Sequence, residues 1–377
     1  MQRNRQLGKI FAGILGAGAL LFIQSCANQD LSDHHRLNDR LAAFIENHAT
    51  VPGVAVVAIA PDQSIDIAAA AGVASPDGVA MTADTPVRLA STTKTYVAAT
   101  FLRLYEQGRV DIDAPIASLI APDIDALLSD DGYKTDTITP RHLLMHTSGL
   151  PDHAGDDYAA LIFEDPSRQW TRRDQIALGM ANHDPLGPPN STFEYSDTGY
   201  VILGHIVERA AGKDLAAVVR EQLRFDALGL ASTWWEQAEQ APSAASPRAH
   251  QYLGDVDTHG WNGSMDMYGG GGLIASMRDT ATFFLALMQG EIFERPETLD
   301  IMLDAPGHPF PDQYRIGVFP IQHNGYDLFE HGGFWGTHAL YVRELNTVVA
   351  GVVLEQSAYG DLRKELRRLA MAVNGRE

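Results

Sequence analysis

The sequence predicts an α+β fold, with one antiparallel sheet built from both ends of the chain and a mainly helical lobe inserted between them. Five apolar, strand-like runs lie near the two ends, at residues 54–60, 65–73, 326–329, 339–342 and 347–354. The middle of the chain, residues 111–264, instead mixes short helical stretches with loops rich in proline and glycine. Strands that flank a helical middle are typical of a sheet that the chain leaves and later re-enters.

Residues 1–25 have the parts of an export signal peptide and are not expected to belong to the fold. Arg3, Arg5 and Lys9 form a basic start, and an apolar stretch, 10–23, follows them. This stretch is shorter than the ~20 residues that span a bilayer. The pattern is that of a signal sequence that is removed, rather than that of a transmembrane helix.

Cys26 is the only cysteine of the chain and directly follows the small residue Ser25. This position resembles a bacterial lipoprotein signal, in which the cysteine is lipidated and becomes the N-terminus; an ordinary signal-peptidase site is the alternative. We therefore expect an exported, periplasmic lipoprotein anchored to the outer membrane. The polar residues 26–38 are predicted to be a tether. Residues 39–377 are predicted to form the folded domain, with a sheet lobe of 39–110 and 265–377 and a helical lobe of 111–264.

Turn residues and helical spacing place further elements in this domain. Pro61-Asp62-Gln63 lies between the first two strand-like runs, which therefore predict a hairpin. Thr139-Pro140 begins a short helix that ends near His146. Apolar residues at helical spacing predict four more helices, at 37–48, 91–107, 280–288 and 362–373.

The net charge of the chain is −20 at neutral pH. Such a surface repels nucleic acid and anionic lipid, so neither is an expected partner. Contact with a membrane is expected only through the N-terminal lipid.

Ser91 and Lys94 form the first motif with chemical meaning. Lysine is scarce in this chain, and Lys94 is the only one with a serine three residues before it. Both residues lie at the start of a predicted helix, where positions i and i+3 share one face. A serine hydroxyl is a weak nucleophile until a neighbouring base or charged group activates it. The alternative is a serine-capped helix with a solvated lysine.

Two further motifs follow along the chain. Tyr195 and Asp197 stand in one short segment, and a tyrosine beside a buried lysine can act as a general base. His331 is followed by Gly332-Gly333-Phe334 and is expected where the chain enters a strand. Glycines there let a substrate approach the backbone and free an N–H group for an oxyanion. Each motif alone is also compatible with a structural role.

The three motifs together, in this order, resemble the penicillin-recognising serine hydrolases: class C β-lactamases, D-alanyl-D-alanine carboxypeptidases, D-aminopeptidases and related esterases. That family carries Ser-x-x-Lys, then Tyr-x-Asn, then Lys-Thr-Gly or His-x-Gly. The segments 111–115, 143–150 and 268–273 are similar as well, and the resemblance covers nearly all of 45–374. It implies a β-lactamase-like fold.

The resemblance also implies roles for individual residues. Ser91 would attack the acyl carbon and form an acyl-enzyme, while Lys94 and Tyr195 move its proton. The backbone N–H groups of Ser91 and Phe334 would hold the oxyanion. The remaining residues expected to contact substrate are Asp197, His331 and Gly333. No metal and no other cofactor is implied, and His142 and His146 are interpreted as structural.

Two positions depart from the family pattern. Asp197 replaces the usual Asn; an ionised carboxylate only accepts hydrogen bonds, so it cannot hold an amide carbonyl and instead favours the ammonium form of Lys94. His331 replaces a permanently charged lysine, so it is a weaker anchor for a carboxylate. Both departures favour an esterase, amidase or D-amino-acid peptidase over an efficient β-lactamase.

The leading hypothesis is therefore an exported serine hydrolase that acts on a small ester or on a D-amino-acid amide or peptide, a class that includes cell-wall fragments. The alternatives are a weak class C-like β-lactamase and a non-catalytic, penicillin-binding-like receptor for cell-wall fragments. Four tryptophans are candidates either for an apolar acyl pocket or for the core: Trp234, Trp235, Trp261 and Trp335. The sequence predicts no oligomeric state.

Overall fold

The computed structural model of the chain describes residues 35–182 and 184–376. The predicted signal peptide 1–25, the lipidation site Cys26 and the first part of the tether lie outside the described residues. In the part of the chain that is described, no helix has the length and apolar character needed to cross a membrane.

A six-stranded antiparallel sheet forms the centre of the fold, with the strand order β2-β1-β11-β10-β9-β8. Two strands come from the start of the chain and four from its end, which confirms the predicted sheet. The strands are β1 Gly53–Ala60, β2 Ile65–Gly72, β8 Phe319–His323, β9 Tyr326–Gly333, β10 Thr337–Val342 and β11 Thr347–Val353. A second sheet, ordered β3-β7-β4, consists of β3 Val87–Arg88, β4 Trp234–Trp235 and β7 Leu273–Ala275. A two-stranded ribbon pairs β5 Tyr252–Leu253 with β6 Val256–Asp257.

The long apolar runs of the central strands follow from burial on both faces. In β1, Val54 and Val56 pack into one apolar cluster, while Ala55 and Val57 pack into another on the opposite face. The first cluster is closed by the helices α1, over residues 35–47, and α11 Tyr359–Ala372. Since successive side chains of a strand point to opposite faces, helices on both sides require a continuous apolar sequence.

The other helices lie on the opposite face of the sheet and in the inserted lobe. Helix α9 packs on β1, β10 and β11, and α2 packs on α7 and α8. The bounds are α2 Thr93–Glu106, α3 Pro122–Asp130, α4 Pro140–Leu144, α5 Asp156–Glu164, α6 Arg172–Asn182, α7 Asp197–Ala211, α8 Leu215–Gln222, α9 Met277–Met288 and α10 Pro296–Asp304. All five helices predicted from spacing and turn residues are present, with ends that differ by a few residues.

Two expectations were wrong in detail. The tether was predicted to reach residue 38, but residues 35–38 are helical and Leu37 is 1% exposed, because its side chain packs under the sheet. The His331 motif was expected at the entry of a strand, but it forms the end of β9. The strand β8 and the β3-β7-β4 sheet were not predicted, because these strands are short and their residues carry no clear alternation.

Candidate active site

Ser91 lies in a tight turn between the small sheet and helix α2. A 3₁₀ turn, Ala90–Thr92, leads directly into α2, and Ala90 adopts a left-handed backbone conformation with φ of 47°. Such a conformation is uncommon for a residue other than glycine and often marks a functional turn. It places the Ser91 hydroxyl at the wall of two cavities rather than within the core.

Strand β9 passes close to this turn and fixes its position. A Cβ atom built on Gly333 would lie 2.0 Å from the carbonyl oxygen of Leu89, so no side chain fits there. The hydroxyl of Thr337 donates a hydrogen bond of 2.9 Å to the same carbonyl. This close approach brings the chain after Gly333, and with it Phe334, to the cavity that Ser91 borders. The predicted oxyanion pair of Ser91 and Phe334 stays a prediction that this arrangement supports.

The Lys94 side chain is fully buried and reaches Ser91. Its Nζ donates to the Ser91 Oγ at 3.0 Å and to the Gly270 carbonyl at 2.7 Å, and it forms an ion pair with Asp197. Burial alone would lower the pKa of this ammonium group, but the interactions with Asp197 first, and then with Tyr195, outweigh burial and raise the pKa above its usual value. Lys94 therefore holds its proton, as the sequence predicted from Asp197.

Tyr195 completes the group around the nucleophile. Its hydroxyl is within hydrogen-bonding reach of Ser91 and Lys94, and the Lys94 Nζ lies 5.0 Å from the centre of its ring. Burial raises the pKa of Tyr195 to about 12, with a further rise from Asp197 and an opposing effect of Lys94. The ring of His146 packs against Tyr195 at 4.2 Å between centroids. Ser91, Lys94 and Tyr195 thus come together as the sequence predicted.

Asp197 reaches Lys94 because helix α7 begins at this residue. The Ser196 side chain caps the helix by accepting a hydrogen bond from Gly199 N at 3.2 Å. The backbone N–H of Asp197 donates to Asp152 Oδ1 at 3.1 Å, which fixes the first turn of the helix beside the lysine. Asp197 also lines a cavity, so its carboxylate is both a partner of Lys94 and part of the substrate wall.

The His331 ring lies at the site, is neutral, and forms a hydrogen bond through each of its two nitrogens. Burial, and then the charge of Lys94, lower its pKa to about 3. Its Nδ1 lies 2.9 Å from the Gly332 carbonyl, which can only accept, so Nδ1 carries the proton and Nε2 accepts from the Tyr314 hydroxyl at 3.0 Å. The geometry excludes a charged anchor for a carboxylate at this position. Contact between His331 and substrate stays a prediction.

The two other histidines considered from the sequence hold the structure of the lobe. His142 Nδ1 accepts from the backbone N–H of Thr139 at 3.1 Å, and its Nε2 lies 3.0 Å from Asn190. His146 Nδ1 accepts from the Ser196 backbone at 3.0 Å and its pKa is well below the usual value, because of burial and the charge of Lys94. Within 35–182 and 184–376, no three His, Cys, Asp or Glu residues are arranged to hold a metal ion.

Two cavities meet at Ser91 and Tyr195. The first, here called the aromatic cavity, has a volume of about 290 Å³ and is walled by Tyr158, Phe163, Trp261, Phe334 and Trp335, with the carboxyl groups of Asp152, Asp197 and Asp266. The second, of about 350 Å³, includes His331, His338, Tyr359 and Arg363. Trp261 and Trp335 therefore line a pocket, whereas Trp234 and Trp235 belong to the β4 strand and are buried.

Sequence reasoning missed the carboxyl groups of Asp152 and Asp266. Asp152 follows the loop that contains Gly149, and Asp266 precedes the run of four glycines at 269–272. A Cβ on Gly271 would lie 2.2 Å from both oxygens of Asp266, so the glycine makes room for this carboxyl. The glycine run was the signal that could have identified it.

The fold and this arrangement of serine, lysine and tyrosine define a serine hydrolase of the β-lactamase type. The model of the Beta-lactamase family matches residues 41–373, so the chain belongs to that family. This confirms the resemblance stated from the motifs.

Similar proteins of known structure include a D-amino acid amidase from Ochrobactrum anthropi SV3, with a TM-score of 0.74 at 23% identity, covering 93% of this chain and 100% of that one. A D-stereospecific amidohydrolase from a Streptomyces species has a TM-score of 0.68 at 26% identity, covering 81% and 90% of the two chains. Esterase EstB from Burkholderia gladioli is 36% identical over 168 residues, which are 43% of this chain and 41% of that protein. The chain spans about half the length of the curated relatives that it matches.

Proposed function

We propose that this protein is an exported serine hydrolase that forms an acyl-enzyme at Ser91 and hydrolyses a small ester or a D-amino-acid amide or peptide. The observation that carries the proposal is the 3.0 Å contact between the Ser91 Oγ and the Lys94 Nζ, beside Tyr195 and open to a cavity. A receptor would not need a buried ammonium group directed at a half-exposed serine. The names of the similar amidases and of the esterase support this substrate range.

The proposed reaction has two halves. Tyr195, as phenolate, takes the proton of Ser91 while the Oγ bonds to the acyl carbon, and the backbone N–H groups of Ser91 and Phe334 stabilise the oxyanion. The tetrahedral intermediate collapses, the bond to the alcohol or amine breaks, and the leaving group receives the proton. In the second half, Tyr195 takes a proton from water as the water oxygen bonds to the acyl carbon. The bond between the acyl carbon and Ser91 Oγ then breaks, Tyr195 gives its proton to Oγ, and the acid is released. Lys94 keeps its proton and stabilises the phenolate by charge.

Asp197 supports a preference for esters over peptides within this range. Its carboxylate lines the aromatic cavity and pairs with Lys94, so it offers a substrate amide no N–H donor. An ester also has a better leaving group than an amide, so its cleavage requires less stabilisation by the enzyme. We therefore expect short-chain p-nitrophenyl esters to be hydrolysed faster than a D-alanyl-D-alanine peptide, and nitrocefin least.

The test compares the wild type with Ser91→Ala and with Ser118→Ala, an exposed serine on the helical lobe. We expect a fluorophosphonate probe to label the wild type and Ser118→Ala but not Ser91→Ala. Hydrolysis of p-nitrophenyl butyrate should fall by roughly 10³-fold or more in Ser91→Ala only. Absence of Ser91-dependent labelling together with absence of turnover across the esters, D-amino-acid amides and peptides would refute the proposal.

Export and lipidation form a separate part of this proposal, based on residues 1–25 and Cys26. Cells that express the wild type should incorporate labelled palmitate into the protein, and Cys26→Ser should abolish incorporation. Incorporation that persists in Cys26→Ser would contradict lipidation at this residue.

A further inference from the structure

We infer that the aromatic cavity binds a protonated amine carried by the acyl half of the substrate, and that Asp266 and Asp152 are its specificity-determining residues. This inference rests on the proposed function and names the substrate class: amphipathic, cationic acyl groups such as those of free amino-acid amides and esters.

The first observation is an excess of carboxyl groups around one lysine. The cavity is lined by Asp152, Asp197 and Asp266, and Lys94 forms its ion pair with Asp197. No lysine or arginine among the described residues lines the cavity, and none forms an ion pair with Asp152 or Asp266. Lys94 acts on both groups and Arg88 on Asp266, but each cation forms its ion pair elsewhere, so the cavity carries two acidic groups without a directly paired cation among the described residues.

The second observation is that both groups have oxygens left for a ligand. Asp152 lines the cavity, and its Oδ1 accepts from Ala154 N at 3.0 Å and from Asp197 N, while its Oδ2 accepts no hydrogen bond from a described residue. The Asp266 carboxyl accepts no hydrogen bond from any described residue, and it rests against the backbone of Gly271, where a side chain would have displaced it. Both carboxyl groups are half-buried, and a half-buried carboxyl group with few donors gains from a ligand that supplies one.

The third observation is the electrostatic state of these groups. Burial, and then the charge of Asp197, raise the pKa of Asp266 and of Asp152 to about 7 each. Their charged forms are therefore disfavoured in the protein alone and become favourable when a cation binds. A ligand ammonium would form charge-assisted hydrogen bonds, which are the stronger class of such bonds.

The walls of the cavity fit the rest of such a ligand. Phe163 and Phe334 are 50% and 55% exposed at its mouth, and each packs edge-to-face on a tryptophan, with centroids 5.0 Å apart in both pairs. Trp261 and Trp335 in turn lie 6.0 Å from each other, so the aromatic wall is continuous. Aromatic faces stabilise cations and bury apolar groups. An acyl group with a ring or a branched chain next to an ammonium would therefore match both the aromatic wall and the carboxyl groups of the cavity.

The test separates binding from turnover by using Ser91→Ala. Calorimetric titration at pH 6.5 compares D-phenylalanine amide with 3-phenylpropanamide, which differs only by the absence of the amine. We expect the cationic amide to bind about tenfold to a hundredfold more tightly, the range of a charge-assisted hydrogen bond. This advantage should disappear in Ser91→Ala combined with Asp266→Asn, shrink with Asp152→Asn, and persist with Asp77→Asn, which changes an exposed aspartate in a surface turn.

Equal binding of the two amides to Ser91→Ala would overturn the inference, and so would an advantage that survives Asp266→Asn and Asp152→Asn together. Neither result affects the proposed hydrolase activity, which depends on Ser91-dependent turnover of esters, amides or peptides by the wild type. Conversely, cation-selective binding without any Ser91-dependent turnover would refute the proposed function while supporting the site. Thermal denaturation of each variant confirms that it is folded.

Discussion

The replacement Asp197→Asn gives the sharpest test of how the nucleophile is activated. Asp197 forms an ion pair with Lys94 and is only 15% exposed, so solvent screens it little. Two unit charges about 4 Å apart interact by about 4 kcal/mol at an effective dielectric constant of about 20, which corresponds to roughly three pKa units. The effect of Asp197 on the pKa of Tyr195 is smaller than that of Lys94, and we take it as on the order of one to two pKa units.

The sign follows from the charges. Removing the carboxylate removes a negative charge that disfavours the Tyr195 phenolate, and it leaves the Lys94 ammonium to pair with that phenolate. Both changes lower the pKa at which the lysine–tyrosine pair releases its first proton, and this pKa belongs to the pair as a unit. In the wild type, Tyr195 has a pKa of about 12, so its basic form is scarce near neutrality.

The assay is the pH dependence of kcat/KM for p-nitrophenyl butyrate between pH 6 and 9.5, corrected with Ser91→Ala. We expect kcat/KM of the wild type to rise with pH without reaching a plateau, and the rising limb of Asp197→Asn to lie about one to two pH units lower. The control Asp77→Asn should follow the wild type. A rising limb at the same pH in Asp197→Asn and the wild type, or at a higher pH in the variant, would refute the assignment of Tyr195 as the base.

Two further predictions concern the framework around the site. A Cβ atom at Gly333 would lie 2.0 Å from the Leu89 carbonyl oxygen, in the turn before the nucleophile. We therefore expect Gly333→Ala to lose most of its esterase activity and thermal stability. The control Gly260→Ala, where a Cβ atom would meet no neighbour, should keep both. Burial would raise the pKa of Glu330, but His338 and Arg367 outweigh it and lower the pKa to about 2 from 4.5. The corresponding stabilisation, about 3 kcal/mol, is complete above pH 4.5 and is lost as the pH falls from there toward 2. Urea unfolding of wild type and Glu330→Gln should therefore differ strongly at pH 6 and little at pH 2.5; an unchanged difference would contradict this.

The main sheet could be predicted because its strands are buried on both faces and therefore carry uninterrupted apolar runs. In β11, for example, Val348 and Val349 belong to opposite apolar clusters. The edge strand β8 was missed, because Phe319–His323 begins with an aromatic and a proline and is buried only in part. The two-residue strands β3 and β4 are defined by pairing with β7, which is a long-range contact that no local pattern encodes.

The part of the site that could be predicted consists of residues that are close together in the sequence. Ser91 and Lys94 share a helical turn, so their spacing alone places the ammonium beside the hydroxyl. Asp152 and Asp266 are separated by more than a hundred residues, and each looks like a loop aspartate in the sequence. Only the folded lobe brings them to one cavity, and their raised pKa values result from burial, which the sequence does not show.

Asp197 connects the charges around the nucleophile with those of the acidic cavity. It pairs with Lys94, and its negative charge raises the pKa of Tyr195, Asp152 and Asp266. A substrate ammonium bound between Asp152 and Asp266 would favour the ionised forms of these two carboxyl groups, so its positive charge would be offset by theirs and would leave no net positive charge to stabilise the Tyr195 phenolate. Selectivity for a cationic acyl group would therefore depend on Asp152 and Asp266, whereas activation of Ser91 would depend on Lys94, Tyr195 and Asp197.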